Sequence, residues 1–354
     1  DKAYLLNAQV IDEGGNVSPA SASFALTIDT TAPSAPSITS AADNAGTVTG
    51  TLATASRTDD TNLSVRVSLA GTSAVAGDKV ALFNGASALG SAQALTATDI
   101  TNGYADVATG TLANATTYAI SAKVIDIAGN ASAASTAFTT TVDTTAPNAP
   151  AITSAADDVG PITATLANNS RTDDTNLTVR VSLAGTGAAA GDSARLFDGG
   201  TAIGTLTALT ATDISNGYVE IASGTLTEAA HVLTARITDD VGNSSAASAS
   251  FTVTVDTTAP TAPVIASAAD DAGSITGTLA SGALTDDTAL TVRVSLTGTG
   301  AAAGDSVRLY DGTTALGTAL TLTSTEISAG FKDIPTGTLT NATTYALNAR
   351  ITDL

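Results

Sequence analysis

Apolar and polar residues alternate along short segments of this chain, with a period of two residues. The segment 63–69 shows the alternation clearly, because Arg66 stands between two valines in a run of alternating apolar residues. The same pattern recurs at 177–183 and at 290–296. A period of two is typical of a β-strand with one buried face, so we expect the arginine to lie on the solvent side.

Short apolar segments of the same kind follow, and clusters of Gly, Asn, Asp and Thr separate them. No segment keeps a helical period beyond about one turn. Seven or so short strands in roughly 100 residues are typical of an immunoglobulin-like β-sandwich. The predicted fold class is therefore all-β, with tandem immunoglobulin-like sandwich domains arranged end to end as a rod. In the first full repeat, strands are predicted at 38–39, 47–52, 63–69, 80–83, 88–92, 104–109, 118–124 and 138–142.

The organising feature of the chain is a motif that recurs at a fixed interval. Asp29, Asp143 and Asp256 each begin the sequence Asp-Thr-Thr-Ala-Pro, and they lie 114 and 113 residues apart. Such a period is the signature of a tandem array. The predicted domains are 1–33, the closing strands of a preceding repeat; 34–147 and 148–260, two full repeats; and 261–354, a third repeat without its last strand.

The first and last of these domains are predicted to be incomplete. Since an isolated hairpin is only marginally stable in water, we expect something outside 1–354 to hold both ends. Two explanations remain open. The chain is either a window from a longer array, or a unit whose N-terminal hairpin completes the C-terminal domain of a neighbouring chain by strand addition, to make a filament.

Composition narrows the possible functions. The chain has 33 acidic and 13 basic residues, and its formal charge of −20 repels nucleic acid and anionic lipid while concentrating cations. Catalysis by a Ser or Cys nucleophile needs a positioned base, and the chain has one His and no Cys, so we predict no enzyme activity. No apolar run of about 18 residues occurs, so we expect no direct membrane insertion.

Acidic residues concentrate where the ends of each sandwich are expected. The Asp-x-x-Gly-Asn loop before the last strand should lie beside the preceding linker, and the Thr-Asp-Asp-Thr loop beside the following one. Several carboxylates at one junction repel each other unless a cation lies among them. Ca²⁺ is the predicted cofactor, because it accepts roughly six to eight oxygen ligands in irregular geometry. The predicted ligands are Asp12, Asn16, Asp29, Asp59, Asp60, Asp78, Asp126, Asn130, Asp143, Asp173, Asp174, Asp192, Asp239, Asn243, Asp256, Asp286, Asp287, Asp305 and Asp353.

Other polar positions have a structural explanation beside a chemical one. Asp43, Asp157 and Asp270 open an acidic pair or Asp-Asn pair just before a Gly, and they are either further ligands or part of a turn. His231 stands at the head of the penultimate strand, where the preceding repeat has Tyr118. We expect this histidine to be a structural variant with no catalytic role.

The order of the motifs within one period resembles that of a known family. In the second repeat they are 157–160, 172–175, 191–199, 239–243 and 256–260. They are similar to the bacterial immunoglobulin-like repeats of very large RTX adhesins, which type I secretion exports and which act in attachment and biofilm formation.

The resemblance implies an extender region at the bacterial cell surface, with Ca²⁺ at its junctions and a distal adhesive tip held away from the cell. The partners it implies are the neighbouring repeats of the same protein, while the adhesive target is bound outside this chain. The first repeat departs from the pattern at Asn44 and Asn84, where the second repeat has Asp. Ligation at those two places is therefore less secure.

A competing function is a self-assembling surface layer or filament, in which domains tile through lateral contacts. Concentration-dependent polymers would distinguish it from an extender. A third possibility, direct binding of sugar or ice, needs a regular Thr or aromatic face, and the sequence has no long Thr-x-Thr ladder on one side.

Overall fold

The computed structural model describes residues 1–160, 163–274 and 276–353, and its regular structure is almost entirely β. A hairpin is followed by three β-sandwiches, which we call modules 1, 2 and 3. The hairpin pairs β1 (Lys2–Leu6) with β2 (Phe24–Ile28) in antiparallel fashion. Its larger apolar side chains, including Phe24 and Leu26, are exposed.

Module 1 is a two-layer sandwich. One sheet has the order β4-β3-β6-β9, and the facing sheet has the order β5-β11-β10-β7-β8. The strand β5 runs parallel to β11, whereas the other pairs are antiparallel. Two such sheets packed face to face form an immunoglobulin-like sandwich, which confirms the predicted fold class. The elements are β3 (Ser37–Asp43), β4 (Gly50–Leu52), β5 (Ser56–Thr58), β6 (Ser64–Ser68), β7 (Lys79–Asn84), β8 (Ser87–Ala94), α1 (Ala97–Asn102), β9 (Tyr104–Ala108), β10 (Thr116–Ile125) and β11 (Phe138–Val142).

Module 2 repeats this plan, with sheets β13-β12-β15-β18 and β14-β20-β19-β16-β17. Its parallel pair is β14 and β20. Its elements are β12 (Ala151–Asp157), β13 (Ala164–Leu166), β14 (Ser170–Thr172), β15 (Thr178–Ser182), β16 (Ser193–Asp198), β17 (Thr201–Ala208), α2 (Ala211–Asn216), β18 (Tyr218–Ala222), β19 (Ala230–Thr238) and β20 (Phe251–Val255).

Module 3 has the sheets β22-β21-β23-β26 and β25-β24-β27 within the described residues. The predicted domain boundaries, after 33, 147 and 260, fall between strands of successive units. They remain predictions. The elements of module 3 are β21 (Val264–Asp270), β22 (Gly277–Leu279), β23 (Thr291–Ser295), β24 (Ser306–Asp311), β25 (Thr314–Thr321), α3 (Ser324–Ala329), β26 (Phe331–Pro335) and β27 (Leu347–Thr352).

Each module has its own hydrophobic core, filled by alternate residues of facing strands. In β6 the side chains of Val65 and Val67 are fully buried, while Arg66 between them is exposed. On the outer face, the Arg66 guanidinium donates to both carboxylate oxygens of Asp106 at 2.8 Å and lies 4.0 Å from the ring centroid of Tyr104. The period-two alternation is therefore confirmed as a half-buried strand.

The short helices have no counterpart among the predicted elements. In α1 the Thr96 hydroxyl accepts a hydrogen bond from the Asp99 N–H, and the Asp99 carboxylate accepts one from the Thr96 N–H, which together form a capping box. Gly103, with a φ of 75°, ends the helix. A helix of six residues is too short to show an apolar period. Within the described residues, no helix is long and apolar enough to cross a membrane.

Two predicted strands also differ in extent. The strand expected at 38–39 is longer, since β3 continues to Asp43. The strand expected at 47–52 is shorter, because the chain bends at 45–48 and only Gly50–Leu52 pairs with β3. Gly46 has a φ of +64° in that bend, a conformation that glycine adopts without steric cost.

We predict that Gly204→Ala destabilises module 2 strongly. Gly204 in β17 has a φ of +58°, and a Cβ atom there would lie 2.2 Å from the carbonyl oxygen of Ala222 in β18. Gly199→Ala is the matched control, since Gly199 has a φ of +52° with no heavy atom within 4 Å. The control should cost about 1 kcal/mol and Gly204→Ala about 3 kcal/mol or more. Urea unfolding measures both free energies, and equal costs would contradict the predicted clash.

Candidate functional site at the module junctions

The loop before the last strand of module 2, residues 239–243, is folded around Asp239. Its Oδ1 accepts a hydrogen bond from the Asn243 backbone N–H at 2.8 Å, and its Oδ2 accepts one from Asn243 Nδ2 at 2.9 Å. Gly242, with a φ of +106°, turns the chain back between them. The loop is thus closed by its own side chains. Asp126 with Asn130, and Asp12 with Asn16, make the same two contacts in their loops.

The closed loops of modules 1 and 2 lie beside the preceding linker, where the sequence predicts them. Asn243 Nδ2 donates to the Asp143 carbonyl oxygen at 3.0 Å, and Asn130 Nδ2 donates to the Asp29 carbonyl oxygen at 3.2 Å. The amide nitrogen therefore makes the contact with the linker, whereas the sequence suggested the amide oxygen as a ligand. The hydrogen bond with Asn130 is also the first reason why the pKa of Asp126 is lowered.

The loop of module 2 also contacts module 1. Asp240 Oδ1 accepts a hydrogen bond from Arg57 Nη1 at 2.7 Å, and the Gly242 carbonyl oxygen accepts one from Thr47 Oγ1 at 3.2 Å. Val241 at the tip is only 4% exposed. Its counterpart in module 1, Ala128, is exposed. The tip of this loop is therefore buried at the junction between modules 1 and 2.

Arginine is the component that sequence reasoning missed. Arg57 contacts Asp240 with one guanidinium nitrogen and Asp143 of the linker with the other. In module 2, Arg171 pairs in the same way with Asp256 of the next linker. The available signal was an arginine directly before Thr-Asp-Asp in two repeats of a chain that has only 13 basic residues. The third repeat has Leu284 at this position.

The Thr-Asp-Asp segment of module 1 lies at this same pole. The Asp143 N–H donates to the Thr58 carbonyl oxygen at 2.8 Å, so the linker passes directly beside it. Asp60 is buried, and its carboxylate accepts hydrogen bonds from the N–H groups of Asn44 at 3.1 Å and Asn62 at 2.7 Å. Asp174 and Asp287 accept equivalent bonds in modules 2 and 3.

Asp43, whose role was open, is buried in this network. It accepts hydrogen bonds from the Thr58 hydroxyl at 2.7 Å and from the Ala45 N–H at 3.1 Å. Asp157 and Asp270 make equivalent contacts with Thr172 and Thr285. These bonds account for the three residues as parts of a turn.

Asp59 is the least satisfied carboxylate at the junction. Its Oδ1 is buried and has no hydrogen-bond partner. Burial raises the pKa of Asp59 above its ordinary value, and the negative charges of Asp43, Asp239 and Asp60 add to the rise. Because Asp239 belongs to module 2, this repulsion acts across the junction. In modules 2 and 3, Asp173 and Asp286 occupy the corresponding place against Gly160 and Gly273.

A third set of predicted ligands supports the loop from inside its own module. Asp78 is buried, and it accepts hydrogen bonds from the N–H groups of Ile127 at 3.1 Å and Val75 at 2.9 Å. Asp192 accepts a bond from the Ala189 N–H, and burial is the main reason why its pKa is raised. Asp305 accepts a bond from the Ala302 N–H, and Asp353 follows β27 as Asp239 follows β19.

The donor groups fit a cation only in part. No group of three or more Asp, Glu or His side chains that could hold a metal ion occurs within the described ranges. Asp59, however, offers a buried oxygen without a partner and is repelled by Asp239 of the next module.

Comparison with known proteins gives a limited result. No family model matches the chain. Exoglucanase B of Cellulomonas fimi is 35% identical over 266 residues, which is 72% of this chain, and the chain spans only 20% of that protein. A similar solved structure is reported as a Ca²⁺-stabilized adhesin that helps an Antarctic bacterium reach out and bind ice. The two chains are 17% identical, the match covers 99% of this chain and 81% of that chain, and the TM-score is 0.38.

Another similar structure is that of the fibronectin(III)-like modules of Clostridium thermocellum CbhA. It has 15% identity and a TM-score of 0.34, and the match covers 58% of this chain and 90% of that one. At these TM-scores the likeness adds nothing to the fold described above.

We predict that Asp240→Lys loosens the contact between modules 1 and 2. The lysine would face Arg57 and replace attraction by repulsion, and an exposed pair of this kind contributes up to about 1 kcal/mol, or roughly a fivefold change in the docked population. Since the chain has no Cys, two introduced cysteines can carry labels for a pulsed electron spin resonance distance between the modules. Asp106→Lys, which disrupts the exposed Arg66 pair within module 1, is the control. An unchanged distance distribution in Asp240→Lys would exclude a role for the pair.

Proposed function

We propose that this chain is a non-catalytic spacer in which successive sandwich modules are held in line at their junctions. The observation that supports this function is the position of loop 239–243, which contacts both the linker at Asp143 and the end of module 1 at Arg57 and Thr47. In an array each module touches only its neighbours, so the stiffness of the whole is set at such junctions. The acidic positions recur in every repeat, which is expected of a spacing element and not of a single active cleft.

The finer proposal is that Ca²⁺ stiffens the junctions. At the junction of modules 1 and 2, Asp59 and Asp239 would hold the ion, because their negative charges oppose each other and one Asp59 oxygen is buried without a partner. A divalent ion bound between the two carboxylates would attract both of them and so outweigh their mutual repulsion. The remaining predicted ligands would support these two by fixing the loops.

The chain would then serve as the extender region of a bacterial surface adhesin. Its order of motifs is similar to the immunoglobulin-like repeats of secreted RTX adhesins, and its charge of −20 suits an extracellular setting rich in divalent cations. The adhesive target would be bound by regions outside this chain. A second candidate, favoured by the 35% identity to Exoglucanase B over 20% of the length of that protein, is the same spacer role within a larger glucanase.

Small-angle X-ray scattering on the full chain tests the spacer function. We expect an elongated monomer whose maximum dimension increases when millimolar Ca²⁺ replaces chelator, because the modules come into line. Identical scattering curves in both conditions would contradict the Ca²⁺ proposal. Concentration-dependent polymers would contradict the spacer and would support the self-assembling surface layer or filament.

We predict that Asp59→Asn has opposite effects with and without Ca²⁺. The folded-state pKa of Asp59 is raised above the ordinary value of 3.8, so folding disfavours the ionised form, and stability falls as pH rises through 3.8 to the raised pKa. At neutral pH the substitution removes this cost, and it should therefore stabilise the chelated protein.

In millimolar Ca²⁺ the same variant should lose part of the stabilisation that the wild type gains, because the proposed ligand is missing. Thermal unfolding in chelator and in Ca²⁺ measures both effects. Asp106→Asn is the control, since Asp106 lies on a sheet face with Arg66 and should give the same change in both buffers. A destabilised Asp59→Asn in chelator would contradict the proposed repulsion.

A further inference from the structure

His231 is a buried ionisable side chain for which the spacer function has no use. It is 6% exposed and lies at the start of β19 in module 2. Its Nδ1 lies 2.7 Å from Asp198 Oδ2, and its Nε2 lies 2.8 Å from the Thr227 carbonyl oxygen. Both ring nitrogens are therefore paired with oxygen atoms.

These partners define the charge of the ring. The Thr227 carbonyl can only accept a hydrogen bond, and the Asp198 carboxylate also accepts one from the Val232 N–H at 2.9 Å. Neutral imidazole has one N–H, whereas the imidazolium ion has two. Only the protonated ring satisfies both contacts, so His231 and Asp198 form an ion pair in the folded module.

The loop that His231 holds is connected to the next linker. Glu228, one residue beyond Thr227, accepts hydrogen bonds from the hydroxyls of Thr257 at 2.8 Å and Thr258 at 2.6 Å. The Ala229 carbonyl oxygen accepts one from the Val255 N–H at 2.9 Å. His231 thus fixes the same short loop that binds the linker between modules 2 and 3.

Modules 1 and 3 make the corresponding contact without an imidazole. The Tyr118 hydroxyl accepts a hydrogen bond from the Ala113 N–H at 2.7 Å, and the Tyr345 hydroxyl accepts one from the Thr340 N–H at 2.7 Å. A phenol keeps its proton at neutral pH. The contact in these modules therefore contains no histidine.

Among the neighbouring charged groups, Asp198 is the acid that faces the His231 ring. Glu228 is on the same loop, but its carboxylate is engaged by the two threonine hydroxyls, which lower its pKa. Arg171, on β14 beside β20, is paired with Asp256, and Arg236, on β19, lies near the ring of Phe197. Arg195, on β16, pairs in register with Arg236.

We propose that His231 and Asp198 form a proton-dependent latch that holds loop 227–230, and through Glu228 the linker 256–258, so that the junction of modules 2 and 3 loosens as pH rises. The effect on the stiffness of that junction rests on the spacer function proposed above. The pH-dependent contact between His231 and Asp198 does not rest on that function.

The direction of the pH effect follows from linkage. Burial by itself lowers the pKa of His231, but the hydrogen bonds to Thr227 and Asp198 and the charge of Asp198 outweigh it, so the pKa is raised above 6.5. A raised folded-state pKa stabilises module 2 fully below pH 6.5, and this contribution is lost as pH rises from 6.5 through the folded-state value.

Hydrogen exchange on the full chain, read segment by segment by mass spectrometry, tests the latch. Segment 226–234 should open more as pH rises above 6.5, by up to about tenfold per pH unit, while segment 112–121 around Tyr118 in the same sample serves as the internal reference. His231→Tyr should abolish the extra pH dependence, because module 3 already combines Tyr345 with Asp311. The NMR titration of the ring, the one histidine in the chain, measures its pKa directly.

A ring pKa at or below 6.5, or equal pH dependence of the two segments, would overturn the latch. Exchange at 256–259 that stays constant while 226–234 opens would overturn the connection to the linker. Neither result depends on Ca²⁺, since the measurements are made in chelator. Failure of the spacer function would appear separately, as concentration-dependent polymers in small-angle X-ray scattering at constant pH.

Discussion

Repulsion between carboxylates at short linkers is the constraint on which this structure depends. Each sandwich is stabilised by its own core, but the linkers bring acidic groups of successive modules together, and Asp59 and Asp239 meet in this way. Arg57 offsets part of the charge by contacting Asp143 and Asp240. Charge therefore acts between successive modules, whereas packing between the sheets stabilises each module by itself.

Strands and their arrangement could be predicted well, because a period of two residues marks any strand with one buried face. The position of the loops followed from strand order, which places Asn243 beside the linker at Asp143. The three-residue strand β5 and the six-residue helix α1 escaped, because they are too short to repeat a pattern. Arg57 was missed because recurring acidic residues suggest a metal ion held by oxygen ligands. The partner of an acidic linker can equally be a basic side chain of the protein.

The repeats share a fold but differ at the positions that touch a neighbour. Module 3 has Leu284 at the position that Arg57 and Arg171 occupy in modules 1 and 2. Module 1 has Ile127 at the position of Asp240 in module 2, and Ile127 is 73% exposed. Core positions such as Val65 vary little among the modules. In a linear array, stability is approximately a sum of module and nearest-neighbour contributions, so substitutions at a pole alter one junction and leave the sandwich intact.

The parallel pairing of β5 with β11 has a mechanical consequence. Because β5 and β11 are parallel, a pull on the N-terminal end of β5 and on the C-terminal end of β11 would draw the two strands in opposite directions. Thr140 lies opposite Ser56 and Val142 opposite Thr58, so the hydrogen bonds of this pair would be strained together in shear, instead of one after another as in unzipping. Breaking several bonds at once takes more force than breaking them in sequence, so modules 1 and 2, which contain such a parallel pair, would resist stretching there.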